Sequence, residues 1–292
     1  MPGVGTVPQW LNAGAVRALR FPFLEQLGGL RTAFTSRHGG VTEGPRGSLN
    51  LSYGVGDDPR RVAENRRRAL ALLGLPPERA VVAGLVHGVR VARVDGPLPD
   101  TGPGAGAGDR SGLVPGVDAL VTATPGLALV VTTADCVPVF LFDPRRRAAA
   151  LVHAGWRGTA RGAAGHAVRA LAAEYGSRPG DLWAVVGPSI GPCCYEVDEP
   201  VVAAFEEGQD GAVRAGPGSW LRRGRAPGRW RLDLWAANRD QVVACGVPAA
   251  QVQVAGICTA CHVADFFSHR AQRGQAGRQA AIVVLDGEGR AS

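Results

Sequence analysis

The sequence contains no lysine, so all 32 of its basic residues are arginine. Isoleucine is also rare, whereas alanine, glycine, valine and proline are abundant, a usage typical of a GC-rich genome. The net charge of +7 is therefore partly a codon effect and weak evidence for a polyanionic partner. Because no arginine stripe is interleaved with aromatic residues, we do not expect the chain to bind nucleic acid.

Long apolar runs are also missing, and none approaches the roughly 18 residues that a membrane helix needs. The N-terminus lacks the charged start and apolar core of a signal peptide. We therefore expect a cytoplasmic protein without membrane contact, whose six cysteines are reduced thiols or metal ligands. The 292 residues can bury a large core, and we predict a single domain over 1–292.

The order of strand-like and helix-like segments indicates an α/β fold. Helices are predicted at 57–77 and 159–175, between short apolar segments that read as strands. Hairpin and crossover spacings are mixed, which favours one α/β domain with mixed sheets over a doubly wound nucleotide fold. No G-x-G-x-x-G stands at a strand-to-helix turn, which argues against dinucleotide binding. The glycine-rich segment 96–112 predicts a flexible surface loop.

The segment TADCVPVFLFDPRRRAAALVHAGWRG (133–158) contains two apolar runs joined by a turn sequence. With Pro144 and Arg145 as the turn, the runs form a hairpin in which Cys136 falls opposite His153. Opposed residues in an antiparallel pair lie about 5 Å apart, so both side chains could bind one metal ion. A slip of one residue would turn one of the two side chains to the other face.

His87, in the segment LVHG, is a third candidate ligand. Taken singly, a cysteine or histidine in an apolar setting is more often an ordinary core residue. Together, His87, Cys136 and His153 would form a tripod suited to a catalytic zinc, with a fourth position for water or substrate. Asp135 is then an orienting residue or a proton shuttle, or else it only caps its loop.

Copper is a weaker interpretation of the same three ligands. A blue-copper site normally adds a weak axial methionine, and the only methionine here is Met1. The six histidines are too few for a multicopper cluster. We therefore expect one zinc per chain, with Cu²⁺ as a possible substitute.

Four further cysteines form a competing metal candidate. Cys258 and Cys261 have the C-x-x-C spacing, which is a strong zinc signal only beside a second pair. Cys193 and Cys194 are adjacent in sequence, which predicts poor geometry for a tetrahedral four-cysteine site. Thiols in the core near the pocket are the preferred interpretation.

Two arginines are candidates for binding an anion such as phosphate. Arg37 lies beside a glycine pair in TSRHGG, and Arg157 lies at a predicted helix start in GWRGTARG. His38, in the loop of Arg37, could donate a proton to a leaving group, and Arg37 is for this reason the first choice as phosphate ligand. For each arginine, a solvated side chain on a turn is the alternative.

Several blocks together resemble the laccase-like family of multicopper polyphenol oxidoreductases, whose members are also called purine nucleoside phosphorylases and peptidoglycan editing factors. These blocks are TSRHGGVTEG with SLNL, GDDP with VAENRRR, LVHG, TADCVPV with HAGWRG, GPSIGPCCYEV, and CTAC with FFSHR and GRQA. They occur in the family's order over about residues 30–286. One departure is that Leu85 and Val86 precede His87, where the family usually has a glutamine before its VHG block.

The resemblance implies a four-layer α/β/β/α domain with mixed sheets, and zinc bound by His87, Cys136 and His153. It also implies phosphorolysis of adenosine, inosine and methylthioadenosine, with adenosine deamination as a second activity. The catalytic residues expected on this basis are Cys136, Asp135, Arg37 and His38, with Arg37 and Arg157 as phosphate ligands. The partners are a small nucleoside and phosphate, and the protein is a monomer or homodimer.

Three other functions stay open at this point. A hydrolase that removes misincorporated serine from peptidoglycan precursors would use the same zinc-activated water. A copper-dependent polyphenol oxidase needs a redox metal, which zinc is not. A non-enzymatic metal-binding protein would have no use for an open coordination position.

Overall fold

The computed structural model describes residues 7–98, 112–207 and 220–287. Most of the predicted loop 96–112 lies outside these residues. The described helices are α1 (Pro22–Glu25), α2 (Pro59–Ala71), α3 (Trp156–Ala160), α4 (Ala163–Tyr175), α5 (Glu199–Glu207) and α6 (Leu234–Ala244). The described strands are β1 (Gln9–Ala13), β2 (Val16–Arg20), β3 (Leu30–Thr35), β4 (Ala80–Gly84), β5 (Val91–Arg93), β6 (Leu113–Pro115), β7 (Ala119–Thr122), β8 (Ala128–Thr133), β9 (Val137–Asp143), β10 (Ala148–Ala154), β11 (Trp183–Val186), β12 (Glu196–Val197), β13 (Leu221–Arg223), β14 (Trp230–Leu232), β15 (Val252–Val254) and β16 (Gln279–Leu285).

The strands form two large mixed sheets and one small sheet. The seven-stranded sheet has the order β1-β2-β3-β16-β8-β4-β6, and the six-stranded sheet has the order β15-β11-β9-β10-β7-β5. The middle pairs of both sheets, such as β9–β10 and β16–β8, are antiparallel. In the seven-stranded sheet the pairs β8–β4 and β4–β6 are parallel, and in the six-stranded sheet the outermost pairs β15–β11 and β7–β5 are parallel. The third sheet is the antiparallel ribbon β12-β14-β13.

Alternating side chains of the central strands divide the core into three layers. In β9, Phe140 and Phe142 face the space between the two large sheets, whereas Val139 and Leu141 face α4 and α6. In β16, the alternate residues pack between the sheets or against α2 on the outer side. Such two-sided burial explains why the strands read as continuous apolar runs. The predicted α/β/β/α arrangement with mixed sheets is confirmed.

The β9–β10 hairpin forms, but its register differs from the prediction. Asp143 pairs with Ala148 across a four-residue connection, and His153 pairs with Pro138. Asp143 accepts hydrogen bonds from the backbone amides of Arg145 and Arg146, which stabilises this longer turn. The predicted two-residue turn was therefore wrong. The pairing is displaced by two residues, however, so every side chain keeps its predicted face.

The strand directions bring many loops to one end of the strands of the six-stranded sheet. At this end β10 stops, β9 and β7 begin, and β5 begins beside β7. The parallel strands β11 and β15 both end there as well. The loops that contain Cys136, His87 and Asp118 therefore converge with the end of β10, although they are distant in sequence.

Among the described residues, no helix is both long and apolar enough to span a membrane. The predicted helix 57–77 is observed as α2, with the Asp58 side chain accepting from the Arg60 amide as its N-cap. The helix predicted at 159–175 is two helices, α3 and α4. Gly162 separates them with a φ of 80°, a left-handed conformation that interrupts an α-helix.

Candidate metal centre

His87, Cys136 and His153 meet at the converging loops. Their ligand atoms all lie within 4.8 Å of one another. His153 is buried, Cys136 is partly buried and His87 is exposed, so the tripod opens to solvent on the side of His87. Two imidazoles and one thiolate are ligands that zinc accepts in a tetrahedral site with one open position. The three residues fit a metal ion, as the sequence predicts.

The thiol and imidazole of this group alter each other's protonation. Burial disfavours the thiolate, but the imidazoles of His153 and His87 outweigh it and lower the pKa of Cys136 to about 6. Burial likewise disfavours the imidazolium, but the Cys136 thiolate and Asp118 raise the pKa of His153 to about 9. A deprotonated cysteine is the state that binds a metal.

Gly155 lies against the tripod, where a side chain would be in close contact with the ligands. A Cβ atom at this position would lie 3.1 Å from the sulfur of Cys136 and 3.3 Å from Cδ2 of His87. It would also lie 3.7 Å from Cε1 of His153. The glycine of the HAGW block therefore leaves room for the Cys136 sulfur and the His87 ring.

Asp118 positions two of the three ligands and was not identified from the sequence. Its buried carboxylate accepts from Nδ1 of His153 at 2.9 Å and from the backbone amides of His87 at 2.9 Å and Gly88 at 2.7 Å. Burial would raise the pKa of Asp118, but these hydrogen bonds hold it below its usual range. With Nδ1 donating to Asp118, Nε2 of His153 is the nitrogen left for a metal. His87 adopts a φ of 58°, and the contacts of its amide to Asp118 stabilise this strained conformation.

We expect Asp118→Asn to weaken metal binding about 10- to 100-fold, the usual effect of losing the hydrogen-bond partner of a ligand. An asparagine would present an NH₂ group to amides and an imidazole that all donate to the present carboxylate. Competition with a chromogenic chelator measures the change in dissociation constant. The matched control is Asp143→Asn, because Asp143 is also buried and accepts from backbone amides, but at the far end of the same hairpin. Equal metal affinity in both variants would contradict the role of Asp118.

Asp135 is buried, and its carboxylate is hydrogen-bonded within the protein. Its carboxylate accepts from the hydroxyls of Thr259 at 2.7 Å and Ser268 at 3.1 Å, and from the backbone amide of Arg270 at 2.7 Å. It has a φ of 87° and immediately precedes Cys136. These contacts support a role in fixing the Cys136 loop more than a role as proton shuttle.

Arg37 and His38 lie in the loop after β3, and both side chains contact other parts of the protein. The Arg37 guanidinium donates to the carbonyls of Gly47, at 2.9 and 3.1 Å, and Val263, at 2.9 Å. Nε2 of His38 lies 3.5 Å from a carboxylate oxygen of Asp265. Three of the five N–H donors of Arg37 are therefore used within the protein.

Arg157 differs from Arg37 because its guanidinium donates no hydrogen bond within the part of the chain that the structure describes. Its exposed guanidinium stacks on the Trp156 ring at 4.2 Å, and it has no hydrogen-bond partner among the described residues. Burial, and then the negative charge of Cys136, raise the pKa of Tyr195 above its ordinary range. The positive charge of Arg157 opposes this rise. Arg157 lies in α3, which directly follows the strand β10 that contains His153.

Two further arginines near the tripod were missed by sequence reasoning. The Arg270 guanidinium lies 5.1 Å from the ring centre of Tyr195 and donates to the Glu196 carbonyl. Burial lowers the pKa of Arg278, and the charges of Cys136 and Asp135 oppose this effect. Their only sequence signal is their position in the closing FFSHR and GRQA blocks.

The chain is similar to known proteins over most of its length. A family model described as multi-copper polyphenol oxidoreductase laccase matches residues 31–286. The chain belongs to this family. The purine nucleoside phosphorylase YlmD of Geobacillus stearothermophilus is 41% identical over 274 residues, covering 94% of this chain and 93% of that protein. A purine nucleoside phosphorylase of Bacteroides thetaiotaomicron is 34% identical over 262 residues, covering 90% and 94%.

Solved structures of this laccase-like family share the fold. The crystal structure of YlmD from Geobacillus stearothermophilus superposes with a TM-score of 0.83 at 39% identity, covering 97% of this chain and 100% of that one. The Bacillus licheniformis hypothetical protein YfiH also gives a TM-score of 0.83, at 33% identity and with 96% and 99% covered. The predicted family and fold class are confirmed.

Proposed function

We propose that the protein is a zinc-dependent purine nucleoside phosphorylase acting on adenosine, inosine and methylthioadenosine, with adenosine deamination as a side activity. One observation of the site carries the proposal: the tripod opens on one side, and the exposed guanidinium of Arg157, which donates to none of the described residues, can bind an anion. The names of the relatives, which are similar over nearly their whole lengths, support the same reaction class.

Phosphorolysis requires a cationic partner for phosphate, since a multiply charged anion does not enter a pocket unpaired. A phosphate oxygen forms a bond to C1′ of the ribose, the glycosidic C–N bond breaks, and the base leaves with a proton. Arginine suits phosphate because its planar fork binds two oxygens at once. Both Arg37 and Arg157 are proposed for this role, and the contacts described above favour Arg157.

The other residues have roles in holding the substrate. Val86, which is 59% exposed next to His87, offers apolar surface to a planar base. Burial raises the pKa of Tyr195, so its hydroxyl stays neutral and can donate a hydrogen bond to a substrate. His38 is the proposed proton donor to the leaving base. Asp135 and Asp118 position Cys136, His87 and His153.

The metal bound by His87, Cys136 and His153 is proposed to be zinc, with Cu²⁺ as a substitute. When bound, it would supply a Lewis acid and lower the pKa of a water ligand to near neutrality, as deamination of a purine requires. We further propose a cytoplasmic protein consisting of one domain over 1–292, active as a monomer or homodimer.

The test is a panel of nucleosides incubated with zinc-loaded protein, with and without phosphate, followed by chromatography of the products. We expect adenosine, inosine and methylthioadenosine to yield the free base only when phosphate is present. Inosine formed from adenosine should appear with or without phosphate. Phenols should react slowly, and only after copper is loaded, because zinc has no redox chemistry.

Two results would overturn the proposal. Hydrolysis of a seryl peptidoglycan precursor without any reaction of nucleosides would establish the editing function. Robust phenol oxidation by copper-loaded protein, with no nucleoside cleavage by zinc-loaded protein, would establish the polyphenol oxidase.

A further inference from the structure

A second group of potential metal ligands lies apart from the tripod. The sulfur atoms of Cys193, Cys194, Cys258 and Cys261 all lie within 4.8 Å of one another. Cys261 is 3.6 Å from Cys193 and 3.4 Å from Cys194, sulfur to sulfur. The prediction that the adjacent pair would give poor geometry was therefore wrong. We call these residues the four-cysteine cluster.

The sheet explains why these cysteines meet. Strands β11 and β15 are parallel neighbours, so the loops that follow them begin at the same end of the sheet. The loops are joined where the Ser189 amide donates to the Ile257 carbonyl and the Thr259 amide donates to the Ser189 carbonyl. The amides of Cys194 and Tyr195 both donate to the Gly191 carbonyl. This tight turn directs the two adjacent thiols towards the C-x-x-C loop.

We propose that the four-cysteine cluster binds one structural zinc ion. Four sulfurs about 2.3 Å from a central zinc lie about 3.8 Å apart in a regular tetrahedron. The distances from Cys261 to Cys193 and Cys194, 3.6 and 3.4 Å, are close to this value. The sulfur of Cys258 accepts a hydrogen bond from the Gly191 amide at 3.2 Å, a contact that favours a thiolate. Four protein ligands close the coordination sphere, which is the pattern of a structural and not a catalytic zinc.

The surroundings provide compensating charge. Four thiolates and one Zn²⁺ have a net charge of −2, which needs nearby cations at a protein surface. A groove bordered by Cys193 is lined by four arginines, namely Arg222, Arg223, Arg225 and Arg231. The four-cysteine cluster is partly exposed, so zinc has access to it.

The four-cysteine cluster would fasten the loops that support the catalytic tripod. The Thr259 hydroxyl, between Cys258 and Cys261, donates to the Asp135 carboxylate at 2.7 Å. The Ile190 amide donates to the Asp135 carbonyl at 3.0 Å, and Tyr195 directly follows Cys194. Structural zinc would therefore stabilise the positions of Asp135 and Tyr195 without contributing a ligand to the tripod.

Metal analysis of the full chain, purified under reducing conditions without chelator, tests this inference. We expect two zinc ions per wild-type chain, one in Cys136→Ser, one in Cys258→Ser, and none in the double variant. Cys245→Ser is the matched control and should retain two, because Cys245 is a thiol outside both groups. Cobalt-loaded Cys136→Ser should show the intense thiolate-to-cobalt absorption of a four-sulfur site. The double variant Cys136→Ser, Cys258→Ser should lack this absorption.

Several outcomes would overturn the inference. A folded Cys136→Ser protein without zinc would do so, and this variant decides the question even if Cys258→Ser fails to fold. Iron in place of zinc would also contradict it. So would a disulfide from Cys261 to Cys193 or Cys194 in freshly purified protein, detected by mass spectrometry of peptides alkylated without reduction.

Discussion

Cys136→Ser is expected to remove one equivalent of zinc and to reduce kcat/KM for inosine cleavage by about 10³-fold or more, since several kcal/mol of transition-state stabilisation disappear. Serine is nearly isosteric, but its hydroxyl is not deprotonated at neutral pH and is a poor zinc ligand. Asp118 would still hold the His153 imidazole through Nδ1 and the His87 backbone through its amide. The loss would therefore come from the metal and not from unfolding.

Cys245→Ser is the control for this prediction. Cys245 is also a partly buried thiol, and it lies near Arg169, away from the tripod. Its variant should retain both zinc content and activity within about twofold. If Cys136→Ser retains the metal and the activity, the tripod is not the catalytic site.

Arg157→Ala is expected to raise the KM for phosphate about 10- to 100-fold, the cost of losing a charge-assisted hydrogen bond to an anion. The KM for the nucleoside and the zinc content should change little, because the Arg157 guanidinium only stacks on Trp156 and donates no hydrogen bond to a described residue. Adenosine deamination needs no phosphate and should survive. Initial rates at varied phosphate, with saturating inosine, measure the effect.

Two variants serve as comparisons for Arg157→Ala. Arg145→Ala removes an exposed arginine that pairs with Asp181 at the far end of the hairpin, and its phosphate KM should stay unchanged. Arg37→Ala should lower the thermal midpoint, because it removes hydrogen bonds to the Gly47 and Val263 carbonyls. A larger rise in phosphate KM for Arg37→Ala than for Arg157→Ala would make Arg37 the phosphate ligand.

The hairpin shows which part of the site the sequence could predict. The alternation of side chains along a strand has a period of two, so an error of two residues in register leaves each residue on its predicted face. The prediction that Cys136 and His153 share a face was therefore correct in spite of the wrong turn. The turn itself depends on Asp143, whose side chain accepts from two backbone amides, and the Asp-Pro dipeptide alone does not distinguish the two turns.

Asp118 shows what the sequence could not predict. It is an aspartate at the start of an apolar strand, a position where aspartate most often caps a turn. Its role depends on the parallel pairing of β5 with β7, which places its carboxylate beside His87 and His153. Only the three-dimensional arrangement reveals such a residue.

The four-cysteine cluster was mispredicted for a related reason. The adjacency of Cys193 and Cys194 in the sequence predicted poor geometry for a tetrahedral four-cysteine site. The chain forms a tight turn at Gly191 instead, and the pairing of β11 with β15 brings in Cys258 and Cys261. Contacts between loops at the ends of neighbouring parallel strands are long-range, and local patterns do not encode them.

The most direct test of the proposed reaction is the identity of the sugar product from inosine in the presence of phosphate. With zinc-loaded wild-type protein, we predict one ribose 1-phosphate for each hypoxanthine released, measured by an enzyme-coupled assay or by phosphorus NMR. Cys136→Ser should form neither product. Free ribose in equal amount to hypoxanthine, at a rate independent of phosphate, would show a hydrolase and contradict the assignment of the protein as a phosphorylase.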